Sequence, residues 1–101
     1  MNYQVLVAEA AEKDIQETFI WYNEQKRLLG DTFKVLIEHS IHSIQTNPYK
    51  FSIKYKKVRI CFLKKFPFGI HYTINKNNII IVGVFHTAIN PLQWKLRKSG
   101  L

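Results

Sequence analysis

Ile79 to Phe85 reads IIIVGVF, seven residues without one polar side chain. The run is far too short to span a membrane, which takes roughly 20 apolar residues. It also lacks the polar alternation of a strand with one wet face. Such a run is stable as a central strand buried on both faces. A chain of 101 residues forms a single domain, 1–101, with one core. The remaining residues must therefore supply both the neighbouring strands and the layer that covers them.

The neighbours are legible on each side. Phe68, Ile70, Tyr72 and Ile74 alternate with Gly69, His71, Thr73 and Asn75, and Lys76-Asn77-Asn78 turns this strand into the central one. Val58, Ile60 and Phe62 alternate with Arg59, Cys61 and Leu63. Lys65-Phe66-Pro67 makes the turn after them, since proline cannot donate within a paired strand. Tyr3 to Val7 is a short β-branched and aromatic run, a first strand.

The covering layer comes from two helical patterns. Ala8, Ala11, Ile15, Phe19 and Tyr22 recur at spacings of three and four, with Glu12, Lys13, Gln16 and Glu17 on the opposite face. Trp21 and Tyr22 read as packing residues. Gly30-Asp31 marks a helix stop and an N-cap for the next helix. Phe33, Ile37, Ile41 and Ile44 then keep helical spacing up to Asn47-Pro48. So short a link predicts an antiparallel hairpin. Residues 49–57 show no period and read as a basic loop, and Pro91 opens a final helical turn through Arg97. The expected fold is α+β, ordered β-α-α-β-β-β-(α), with the helical hairpin packed on a small, mainly antiparallel sheet.

Charge adds a functional constraint. Fifteen Lys and Arg against seven Asp and Glu give a net charge of +8. Five of the acids (Glu9, Glu12, Asp14, Glu17, Glu24) precede residue 25, and none follows Glu38. The C-terminal half thus presents charge of one sign, which suits an acidic partner: nucleic acid or an acidic protein segment. The N-terminus lacks the basic and apolar regions of a signal peptide, and Cys61 is a lone cysteine; together these predict a cytoplasmic protein.

Chemistry-bearing motifs are sparse. His39 and His42 stand three apart on a helix without a third ligand, so no metal is expected. Cys61 reads as a small apolar residue. The four glycines are too scattered for a phosphate loop, no serine has the context of a nucleophile, and no cofactor is expected. Metal-free RNA cleavage needs a base, cations and an acid, for which Arg59, Lys54, Lys56, Lys57, His71 and His86 are the available groups. His86 sits where the central strand ends, in VGVFHTAINPLQW. Three roles are open to it: catalytic base, contact with a partner, or a structural residue bonding the turn toward Asn90. Arg59 interrupts an apolar strand, so it is expected to face solvent, a partner carboxylate or a target.

Several phrases in their order carry a resemblance: DIQETFIWYNEQ, LLGDTF, Asn47-Pro48, VRICFLKKFPFGIHYTI and IIIVGVFHTAINPLQW. They span nearly the whole chain, which resembles the RelE/ParE superfamily of bacterial type II toxin–antitoxin toxins. The resemblance implies the same fold and a cognate antitoxin, encoded beside the toxin, whose extended acidic segment wraps the basic surface. It also allows a homodimer or a hetero-oligomer with that antitoxin. RelE-like members cut messenger RNA on the ribosome with basic residues on the sheet and a tyrosine, histidine or arginine near the C-terminus. Here only Arg59 matches that set on its strand, Gly69 stands where an arginine is expected, and no tyrosine follows Tyr72. The long hairpin, Arg59 and the His86…Asn90 phrase look closer to the ParE-like, plasmid-stabilisation branch, whose members inhibit growth by poisoning DNA gyrase, although Ala88 and Ile89 replace the arginines many relatives carry there. The expected function is a ParE-like toxin. The alternatives are a ribosome-dependent endoribonuclease, with Arg59 and His86 as catalytic candidates, or a non-toxic relative that binds only its antitoxin. Lys54, Lys56, Lys57, Arg59, His71, His86, Asn90 and Arg97 are the candidate contacts with antitoxin or target.

Overall fold

The structure is a computed structural model, and it describes residues 2–97. Its elements are β1 (Gln4–Val7), α1 (Glu9–Gln25), α2 (Leu29–Thr46), a single 3-10 turn (Pro48–Lys50), β2 (Ile53–Tyr55), β3 (Val58–Phe62), β4 (Phe68–Asn75), β5 (Asn78–His86) and α3 (Pro91–Leu96). The five strands form one sheet in the order β1-β5-β4-β3-β2. β1 runs parallel to β5, and all other pairs are antiparallel. The apolar run of β5 lies inside the sheet, as its composition requires, and Ile79, Ile81, Val82, Val84 and Phe85 are buried.

β2 corrects the reading of residues 49–57 as a loop. It is a three-residue strand with two exposed side chains, joined to β3 across Lys56-Lys57 with Lys56 in the left-handed region at φ 47°. A register shift between Ile53 and Tyr55 breaks the alternation that would have revealed it.

The helices lie antiparallel on one face. Ala11 of α1 and Phe33, Ile37 and Ile44 of α2 pack against Cys61, Ile70, Tyr72, Ile79 and Ile81 of the sheet. Tyr22, Phe33, Phe66 and Phe68 form an aromatic cluster at one end, with centroids 4.9–6.1 Å apart. Trp21 meets the edge of Tyr22 but is 54% exposed, so Tyr22 alone joins the core.

Gly30 is not the stop it resembles, and Asp31 is not the cap. α2 already begins at Leu29, after Leu28 in the left-handed region at φ 64°, and no side chain of its own N-cap closes it. Gly30 is buried in the first turn, with its backbone against the Phe19 carbonyl of α1. Its N–H donates to Asn23 Oδ1 at 2.7 Å, so α1 satisfies a donor that α2 would otherwise leave open. Asp31 lies in the same first turn, where its charge suits the helix dipole.

Candidate binding surface

Successive residues of a strand point to opposite faces, so Tyr72 and His71 meet different layers. Tyr72 points to the helical face, where its hydroxyl donates to the Pro48 carbonyl at 2.6 Å. Burial, partly offset by the Arg59 charge, pushes that phenol up to about 12. His71 points to the other face, which α3 covers. Trp94 of α3 lies 4.8 Å from the His71 ring, Phe85 lies 4.8 Å away on another side, and the Tyr55 hydroxyl bonds His71 Nδ1 at 2.9 Å. Trp94 Nε1 is buried there without a hydrogen-bond partner among the described residues.

His71 is 1% exposed, so no partner reaches it while α3 is seated. Burial first, and the Arg97 charge second, lower its pKa to about 4 from an ordinary 6.5. The folded state therefore resists protonating this ring and the unfolded state does not. Its stabilising contribution is complete above about pH 6.5 and disappears as the pH falls toward 4, worth about 3 kcal/mol by linkage. Thermal melts from pH 7 to 4.5 should show a steeper loss of stability in the native chain than in His71→Phe. Parallel slopes in the two proteins would remove His71 as the source.

Two attachments, through Lys56 and Arg97, hold α3 down besides Trp94. Asn90 caps it, its Oδ1 accepting from Leu92 N at 2.9 Å. Lys56 Nζ donates to the Lys95 carbonyl at 3.0 Å, tying the β2–β3 turn to the helix. Arg97 passes over the Phe85 ring and binds Asp14 of α1, with one nitrogen 2.5 Å from Oδ2 and the other 3.3 Å from Oδ1. Gly83 makes this crossing possible: a Cβ there would lie 3.0 Å from the Arg97 guanidinium and run into the Phe85 ring. β1 pairs with β5 only as far as Ile81. Beyond it, Asp14 Oδ2 accepts from Val84 N at 3.0 Å and closes the open edge of β5. Sequence reasoning placed Arg97 among contact residues and missed Asp14. The available signal was position: Asp14 follows Ala11 by three residues on the inward face of α1.

Arg59 also has a partner within the chain. It is half-buried, one guanidinium nitrogen donates to the Phe51 carbonyl at 2.7 Å, and its plane sits 5.1 Å from the Tyr49 ring. The interrupted strand thus carries its arginine on a local carbonyl and ring instead of turning it wholly to solvent. Gly69 leaves no space for an inward cation, since even a Cβ would stand 2.7 Å from Ile60 Cγ2.

His86 is exposed at the end of β5, edge-on to Phe68 at 5.1 Å. Its Nδ1 accepts from Ala88 N at 3.0 Å, and its carbonyl accepts from Ile89 N at 3.1 Å, so it closes the turn toward Asn90. With Nδ1 used as an acceptor, the neutral ring carries its proton on Nε2 and has no second lone pair for a substrate. His86, Glu17, Trp21, Tyr22 and Phe68 line a groove of about 490 Å³ between α1 and the sheet. His86 and Arg59 do not converge. Their β4 partners are Phe68 and Tyr72, which puts their backbones about 13 Å apart along the strands and about 10 Å across.

What faces outward is mostly positive. Lys54, Lys56 and Lys57 are exposed on the β2–β3 hairpin, and Lys64 and Lys65 on the turn after β3. Lys50 is exposed on the 3-10 turn. The acids sit elsewhere, with Glu9, Glu12 and Glu17 along α1. The charge asymmetry of the sequence therefore becomes a spatial one, from the α1 side to the β2–β3 end.

The fold has known relatives. The chain of the chromosomal ParDE toxin–antitoxin system from P. aeruginosa is similar with a TM-score of 0.75 at 14% identity, covering 83% of this chain and 95% of that one. A chain of the RelBE2 toxin–antitoxin complex from Mycobacterium tuberculosis gives 0.60 at 13% identity, over 85% and 99%. At such identity the likeness establishes the fold alone. No curated protein matches the sequence significantly. The family model for the ParE toxin of the type II toxin–antitoxin system parDE matches residues 5–91. That match covers most of the chain, from within β1 through the other four strands and both long helices, and the chain belongs to the ParE toxin family.

Proposed function

We propose that this toxin acts by binding, with DNA gyrase as its target, and that a cognate antitoxin with an acidic, extended segment neutralises it over the basic end of the sheet. The observation that carries this reading is the state of the groups an RNA-cleaving site would need. Arg59 is committed to Phe51 and Tyr49, His71 is buried under Trp94, His86 Nδ1 closes a turn, Asn90 caps α3 and Arg97 is paired with Asp14. Each has a structural task, and Arg59 lies apart from His86. Lys54 and Lys57 of the β2–β3 hairpin remain outward, suited to a partner's carboxylates.

Induced expression in a bacterium carrying a DNA-damage reporter, with parallel mapping of transcript ends, tests this. The expected result is growth arrest with the reporter on and transcripts intact. Arrest with cut messenger RNA and no damage signal would establish ribonuclease action instead. Normal growth at high levels of folded protein would mean that only antitoxin binding remains.

Antitoxin affinity should also fall as ionic strength rises, because exposed lysines interact over a Debye length of about 8 Å at physiological salt. Reversing Lys54 and Lys57 to glutamate should flatten that dependence. Titration calorimetry across a salt series checks it, and an affinity indifferent to salt in the native chain would contradict the basic surface as the contact.

A further inference from the structure

Glu17 and Trp21 stand four residues apart on α1, so their side chains share one face of the helix. Phe68 and His86 are cross-strand partners on β4 and β5, and Tyr22 links the two sets. The rings run in a row from Trp21 through Tyr22 and Phe68 to His86. Successive centroids are 5.1, 6.1 and 5.1 Å apart, and successive planes meet at 75°, 69° and 78°. Rings set so nearly at right angles form walls, not a stack. Tyr22 and Phe68 are held against the hydrophobic core, while Trp21 and His86 are exposed at the two ends. These walls bound the groove of about 490 Å³, and Glu17 adds a carboxylate to its lining.

An aromatic face attracts a cation through its quadrupole, and this chain uses that attraction repeatedly. Lys34 sits over Phe19, Lys50 over Phe51, Arg59 over Tyr49 and Arg97 over Phe85. Among the described residues no cation sits over Trp21, Tyr22 or Phe68, no Lys or Arg lines this groove, and Glu17 makes no ion pair. Glu17 also lines the neighbouring groove with Glu9, Glu12, Lys13 and Lys34, where Lys34 is engaged by Gln16 Oε1 and the Phe19 ring. The walls and the carboxylate are thus set for a positive group that the chain itself does not supply. Both come from a long helix and two paired strands, so little order has to be gained on binding.

We infer that the groove walled by Trp21, Tyr22, Phe68 and His86, with Glu17 at its side, takes an arginine side chain of the toxin's target protein. The inference rests on the reading of the chain as a toxin that acts by binding gyrase, and it names one contact that holds the target. Arginine suits the groove better than lysine, because a planar guanidinium stacks on a ring while pairing with a carboxylate. An acidic antitoxin segment is a poor occupant, since its carboxylates would meet Glu17. A second copy of this chain carries the cations, but two chains of net charge +8 repel each other.

The test uses the full chain, first with N-acetylarginine amide as the probe and then with gyrase. In an NMR titration the probe should move the Trp21 indole N–H and the Phe68 ring resonances. The citrulline analogue, of the same shape without the charge, should move neither. Glu17→Gln should weaken probe binding about threefold, as expected for one exposed ion pair. Trp21→Ala removes an exposed ring, so its melt should stay near that of the native chain. Its affinity for gyrase should fall at least about fivefold while its affinity for the antitoxin is unchanged. Equal shifts with the arginine and citrulline probes would overturn the groove as a cation site. Gyrase affinity unmoved by either substitution would overturn the target as its occupant, and a fall in antitoxin affinity instead would give the groove to the antitoxin and overturn the proposal. A native chain that takes the probe but does not bind gyrase would sink the target reading and this occupant with it, leaving the cation site. Self-association of the chain that is lost in Trp21→Ala would make the occupant a second copy and also overturn the proposal.

Discussion

Gly30→Ala should lower the melting temperature by about 10 °C or more. Helix propensity argues the other way, since alanine in a helix is favoured over glycine by about 1 kcal/mol. Packing decides the sign. The added methyl would run into the backbone carbonyl of Phe19 and lie 2.9 Å from Asn23 Cγ. A backbone oxygen on a packed helix cannot rotate aside, so α1 and α2 must move apart. That separation disturbs the Asn23–Gly30 bond and the contacts of Phe33 behind it. Overpacking of this kind costs about 3 kcal/mol, which outweighs the propensity gain. Calorimetry of the two proteins checks it, and a melting temperature equal to or above the native one would show that the hairpin adjusts without loss.

The second large effect belongs to Asp14. One carboxylate oxygen holds both Arg97 and the Val84 amide, so it fixes the C-terminal helix and closes the exposed end of β5 at once. Asp14→Ala leaves a backbone donor and a half-buried guanidinium without their acceptor, a loss of about 2–3 kcal/mol. Asp14→Asn keeps an oxygen for Val84 but not the charge, and should recover about half of that. The α3 amides should exchange much faster in Asp14→Ala, while those of α1 and α2 follow only the global change in stability. A Trp21→Phe background makes Trp94 the sole tryptophan, and its emission should shift to longer wavelength as the helix lifts. Native emission and exchange in Asp14→Ala would mean that Trp94 and Lys56 alone keep α3 seated. A double-mutant cycle with Arg97→Ala separates the ion pair from the Val84 bond.

How far these features were legible differs from residue to residue. The central position of β5 follows from IIIVGVF, and the helical hairpin follows from three-four spacing with the Asn47-Pro48 stop. His86 and Asn90 were open to reading as turn and cap because their bonds are local, each to an amide two residues on. Residues 53–55 were not legible as a strand, because a bulge and a left-handed Lys56 interrupt any period. Gly30 misled because glycine serves both helix ends and close backbone approach, and only the position of α1 separates the two uses. The Asp14–Arg97 pair joins residues 83 apart, and no local pattern connects them. Arg59 was expected to face solvent, a partner carboxylate or a target, whereas its acceptor is a loop carbonyl whose position depends on how residues 48–55 fold.

These placements bear on function through what they leave free. Structural tasks absorb the groups that would have to act together in RNA cleavage, whereas Lys54 and Lys57 at the β2–β3 end stay exposed. Contact with an acidic segment needs charge; it needs no general base.

The most direct measurement adds the purified chain to DNA gyrase and follows both binding and supercoiling, with ribosome-bound messenger RNA assayed alongside at the same concentrations. The chain should bind gyrase and block supercoiling, antitoxin should relieve the block, and the message should stay whole. A folded chain that leaves gyrase bare and active while cutting the message would contradict it.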